Sequence, residues 1–166
     1  MKKQLIGRTK NNKTVYVDTE DSHAATHIAD TPDLLRAVQE LLPSLEPDED
    51  SICLATDMGR VVGLSDLVET NEDDKILYAK RLNRDNYTRF ALNREAEPSN
   101  FVTVVLQKDP DGEYELWSAW IGLVTPQFPD DKLADPESIS FWRKHALVWG
   151  NQAIQPGTEK EEWPWE

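Results

Sequence analysis

The sequence predicts an α+β fold, with amino-terminal helices and a carboxy-terminal helix packed on an antiparallel β-meander sheet of four to six strands. Three observations point there. Helix signals gather at the two ends of the chain, short runs of alternating apolar and polar residues fill positions 76–121, and turn-forming residues join those runs.

Taken in order, Thr14-Val15-Tyr16-Val17 alternates as a short strand, and the acidic and hydroxyl residues from Asp18 to Ser22 suit the start of a helix over about residues 20–29. Thr31-Pro32 reads as a cap followed by proline at the first helical position. Leu34, Leu35, Val38, Leu41 and Leu42 then recur on one helical face until Pro43. Ser51–Ala55 and Arg60–Leu64 flank Asp57-Met58-Gly59 and read as a hairpin. Ile76–Leu82, Tyr87–Asn93, Phe101–Gln107 and Tyr114–Ile121 read as four successive antiparallel strands, the last two joined by the strong turn Asp109-Pro110-Asp111-Gly112. Asp135-Pro136-Glu137 repeats the cap, proline and acid pattern before Phe141, Trp142, His145, Ala146, Val148 and Trp149, which predicts a final aromatic helix. Residues 1–150 therefore read as one α+β domain and 151–166 as a tail that Trp163 and Trp165 can pin down.

At 166 residues, folding hides roughly 70% of the unfolded surface, so neither a disulfide nor a metal is needed for stability, and the single Cys53 excludes an internal bridge. Cys53 lies between Ile52 and Leu54 and reads as a buried, inert thiol. No signal peptide and no apolar run near the roughly 18 residues of a membrane span are evident, so a cytoplasmic location off the membrane is the expectation. The net charge of -13 argues against broad, nonspecific binding to nucleic acid or anionic lipid. That charge is uneven. Residues 76–94 carry Lys80, Arg81, Arg84, Arg89 and Arg94 against Asp85 alone, and a compact basic patch can hold an anion on an acidic protein because charges are screened beyond about 8 Å.

Chemistry-bearing residues fall in few places. His23 and His27, four apart with Asp30 three further on, share a helical face; that spacing suits a metal site, a general base, or a structural pair. Arg81, Arg84 and Arg89 suit a phosphate or carboxylate clamp, with solvated, acid-paired arginines as the plainer alternative. Arg81 shares a strand face with Leu77 and Ala79, and Arg89 shares one with Tyr87 and Ala91, so both are expected to project from the sheet. Ser118 is a hydroxyl on an otherwise apolar strand, and Trp120 offers a stacking surface, though strand packing is the simpler role for such tryptophans. There is no phosphate-cradling Gly-x-x-x-x-Gly-Lys, no dinucleotide glycine fingerprint and no Gly-x-Ser-x-Gly elbow, so no cofactor is expected.

The order of these parts, histidine-bearing amino-terminal helices followed by a meander with arginines on its strands and a small hydroxyl residue on the last, resembles the barnase, EndoU, colicin and RelE-like nuclease superfamily. The likeness covers roughly residues 14–121 and is one of layout. It implies a sheet that cups RNA and cleaves it without a metal by attack of a ribose 2′-hydroxyl on the adjacent phosphate. On that resemblance His23 or His27 removes the proton, Arg81 and Arg89 hold the developing charge, Ser118 donates a hydrogen bond to a phosphate oxygen, and Arg84, Trp120 and His145 contact substrate. The acidic surface and the Phe141–His145 segment depart from the pattern. The alternative expectation is a noncatalytic acidic protein, an inhibitor or nucleic-acid mimic, that meets a basic protein partner through residues 46–50 and 69–74.

Overall fold

The computed structural model describes residues 2–20, 28, 31–82 and 84–165, and is mixed α and β. Contacts group the chain into two compact units, Met1–Leu64 with Pro98–Val124 and Ser65–Glu97 with Thr125–Glu166.

The first unit holds a five-stranded sheet of β1 (Lys3–Arg8), β2 (Thr14–Asp18), β3 (Ser51–Asp57), β9 (Phe101–Lys108) and β10 (Tyr114–Ile121), in the order β1-β2-β10-β9-β3. The β9–β10 turn forms as its residues dictate. Asp109 Oδ1 accepts from the amides of Asp111 and Glu113, and Gly112 takes a positive φ of 83°. Helix α1 (Pro32–Leu41) buries Leu34, Ala37, Val38 and Leu41 in a core with Val15, Val17, Val102, Val104, Leu106 and Leu116. Each fully buried leucine or valine contributes roughly 1.5–3 kcal/mol. Thr31 makes no side-chain capping bond, so proline at the first turn sets the start, and the 3₁₀ turn Leu42–Ser44 around Pro43 ends the helix.

The second unit holds a four-stranded sheet of β5 (Leu67–Glu69), β6 (Ile76–Lys80), β7 (Tyr87–Ala91) and β11 (His145–Val148), in the order β5-β11-β7-β6. Helix α2 (Pro136–Lys144) opens with a reciprocal capping box between Asp135 and Ser138. Its Trp142 is fully buried, stacks on Phe128 at 4.5 Å, meets Phe141 edge-on at 5.0 Å, and donates from Nε1 to the Pro126 carbonyl at 3.3 Å. Residues 151–165 run along β6: Tyr78 bridges Lys160, Arg81 bridges Ile154, and Trp165 is buried with its ring 5.4 Å from Tyr78. A separate two-stranded ribbon pairs β4 (Gly63–Ser65) with β8 (Glu97–Ser99).

Several expectations are corrected. The four strands from 76 to 121 do not form one meander: β6–β7 and β9–β10 are two hairpins in different sheets. Pro98 lies in the link between them and cannot donate to a ladder, and that link pairs with β4 instead. The hairpin expected around Asp57-Met58-Gly59 is also absent. The turn forms, with Asp57 Oδ1 accepting from Gly59 N and Gly59 at φ 75°, but β3 pairs along its whole length with β9, while Met58 N and Val62 N reach the Asn100 and Ser99 carbonyls. The final helix stops at Lys144. His145 is extended, and Ala146 and Val148 are buried in a strand between β5 and β7, a short apolar run whose period fits either element. Strand β1 adds to the expected elements. The helix expected over 20–29 falls, apart from Glu20 and Ile28, outside the described residues.

Candidate functional site

In the β6–β7 ladder Tyr78 faces Arg89 and Ala79 faces Thr88, so alternation sends the Thr88 and Arg89 side chains to opposite faces of the sheet. Arg81, just past β6, donates from Nε to Thr88 Oγ1 at 3.1 Å and from Nη1 to Gln152 Oε1 at 2.8 Å. Its guanidinium lies 5.5 Å from the Phe128 ring centroid. All three partners are neutral. Burial, and then the charge of Arg84, pull Arg81 down to about 10, which leaves it cationic at neutral pH. Arg84 is exposed, and the Gln155 side-chain amide donates to the carbonyls of Arg81 and Arg84 at 3.0 and 2.7 Å, so the carboxy-terminal segment fixes the loop that carries both guanidinium groups.

His145 opens β11. Its Nδ1 lies 3.0 Å from the Phe141 carbonyl oxygen and its ring stacks on Phe141 at 4.0 Å. A carbonyl only accepts, so Nδ1 carries the hydrogen and the neutral ring keeps its lone pair on Nε2. The parallel register sets Leu147 against Phe90, which brings His145, two residues earlier, level with Thr88 on the same face. Extending the register two residues thus aligns His145 with Thr88, the residue whose hydroxyl accepts from Arg81.

Arg89 serves the scaffold. It donates from Nε to Tyr78 Oη at 3.3 Å and from Nη1 to Thr70 Oγ1 at 2.8 Å and the His145 carbonyl at 2.9 Å, tying together three strands, β6, β7 and β11, and the segment after β5. Ser118 and Trp120 stand on β10 in the first unit, where a register shift between Leu116 and Ser118 leaves Trp117 exposed. Trp120 donates from Nε1 to the Leu123 carbonyl at 3.1 Å. His23 and His27, and Asp30 with them, lie outside the described residues. Cys53 is exposed on the edge strand β3 rather than buried, although partial burial still pushes its thiol up and away from reactivity. Among the described residues no cluster of three or more His, Cys, Asp or Glu is placed to hold a metal ion.

The electrostatics separate two kinds of arginine. Arg36, Arg60 and Arg94 pair with Asp33, Glu40 and Asp74 at 2.5, 2.5 and 2.8 Å. Among the described residues Arg81, Arg84 and Arg89 have no carboxylate within 4.0 Å. The Arg94 hydrogen bond and the Asn71 amide hold the Asp74 carboxyl below its usual range. A depressed folded value means that this pair supports the fold fully above the unfolded carboxyl's value of about 4 and loses that support as pH falls through the folded value. Urea unfolding at pH 7 and pH 3 is expected to show a smaller acid loss for Asp74→Asn than for the wild type; equal losses would contradict this role.

No family model, curated protein or solved structure matches the chain. The local charge run singles out Arg81 and Arg84 in the sequence. The helical reading of His145 hides its alignment with Thr88, which only the strand register reveals.

Proposed function

We propose that the protein is a small metal-independent ribonuclease-like enzyme that cleaves RNA by 2′-hydroxyl attack, with its reactive groups in the second unit. The observation that carries this reading is the half-buried Arg81, held by neutral groups beside Arg84 and across Thr88 from His145, in a chain of net charge -13. A cation kept free of carboxylates inside so acidic a protein is matched to an anion, and guanidinium geometry matches a phosphate. Arg81 and Arg84 hold the phosphate and its developing charge. His145 Nε2 takes the 2′-hydroxyl proton, the oxygen bonds to phosphorus, and the P–O5′ bond breaks, the 5′-oxygen taking a proton from water as the 2′,3′-cyclic phosphate forms. Arg89 positions His145 through its backbone carbonyl.

The test is incubation with mixed-sequence RNA in EDTA. Wild type is expected to cleave, and Arg84→Gln, which removes an exposed side chain with no hydrogen-bond partner among the described residues, to cleave about tenfold or more slowly. Absence of cleavage by the wild type would remove the proposal. A second reading, a noncatalytic acidic protein that binds a basic partner, is favoured by Asp48, Glu49 and Asp50, which are exposed and form no ion pair among the described residues. An inert wild type that captures a basic protein in a salt-sensitive manner would support it.

A further inference from the structure

Beside the Arg81 loop, a second set of cations is arranged around aromatic rings. Lys80 faces Tyr87 in the β6–β7 register, and its Nζ lies 5.1 Å from the Tyr87 ring centroid. Lys160 reaches the same ring, also at 5.1 Å, from the other side of β6, where reciprocal 2.7 Å backbone bonds lock it against Tyr78. Arg143 lies 5.0 Å from the Trp163 ring, and Trp163 meets Tyr78 edge-on at 6.0 Å. None of these three cations has a carboxylate within 4.0 Å among the described residues; the nearby Glu159 instead accepts from the Gly157 amide at 3.0 Å. Two ammonium groups on one ring repel each other. Main-chain bonding keeps them there, and an anion between them relieves the repulsion.

We propose that Lys80, Lys160 and Arg143, held by Tyr87 and Trp163, form a binding surface for the phosphates of single-stranded RNA. The rings order the flexible cationic side chains, which lowers the entropy lost on binding, and the cations follow the backbone of a strand without reading its sequence. The choice of RNA rests on the proposed function: Lys80 and Tyr87 stand on the face of the sheet opposite Thr88, so the strand bound here passes round the end of β6 to reach the Arg81–Arg84 loop. Binding can nevertheless be measured without cleavage.

The experiment is fluorescence anisotropy of a labelled 2′-O-methyl RNA 12-mer, which lacks the attacking hydroxyl, in EDTA at several salt concentrations, with far-ultraviolet circular dichroism to confirm folding. Lys80→Gln/Lys160→Gln is expected to bind about tenfold more weakly and to lower the slope of log affinity against log salt by about 1.4, at about 0.7 per phosphate contact on a single strand. Lys80→Arg/Lys160→Arg is expected to retain both. Wild type that fails to bind, a double glutamine variant with unchanged affinity and slope, or equal affinity for duplex DNA or heparin would overturn the proposal. Binding that persists without any cleavage of ordinary RNA would remove the catalytic reading and leave this surface standing.

Discussion

Replacing His145 with glutamine is expected to lower RNA cleavage by about a hundredfold or more while leaving the fold intact, the loss typical of removing a general base. Glutamine keeps a side-chain N–H that can reach the Phe141 carbonyl but supplies no titratable nitrogen where Nε2 stood. Three features place the ring: its Nδ1 bond, its stacking on Phe141, and the Arg89 bond to its own carbonyl. Measuring kcat and KM separately distinguishes this role from binding. A fall confined to kcat supports proton transfer, whereas a change in KM alone would make His145 a substrate contact.

The largest expected stability effect is at Trp142. Trp142→Ala is expected to cost about 3–5 kcal/mol, since a fully buried aromatic leaves a cavity that its neighbours fill only in part. Phe128 and Phe141 both lose their ring partner, and the Pro126 carbonyl loses its donor. Against a total stability of about 5–15 kcal/mol for an ordinary domain, that loss is large enough to read directly from urea unfolding. Because Phe141 supports the His145 ring and Phe128 lies over Arg81, the same variant is expected to lose activity under conditions where it remains folded. A shift below about 1 kcal/mol would show that the aromatic layer does not organise this unit.

What the sequence makes legible follows from which signals are local. Helix α1 is readable because Pro32, the spacing of Leu34, Val38 and Leu41, and the Pro43 stop all act within the segment. The Asp109–Gly112 turn is readable for the same reason. Strand partners are not local: nothing near Tyr87 announces that β7 pairs with β11, more than fifty residues away, rather than with the strand that follows it. Strand β1 escapes notice because Ile6 is its only buried residue, set among Lys3, Gln4 and Arg8. Arg81 and Arg84 stand out as charges in the sequence, yet the neutrality of Arg81's surroundings depends on Gln152, Thr88 and Phe128, which the chain brings in from three separate segments.

The most direct measurement is the chemistry of the RNA ends produced in EDTA by purified protein. Attack by the neighbouring 2′-hydroxyl predicts fragments ending in a 2′,3′-cyclic phosphate, and no cut at a position where the 2′-hydroxyl is replaced by hydrogen. Intact RNA, or cutting that proceeds at 2′-deoxy positions and leaves 5′-phosphates, would contradict the account.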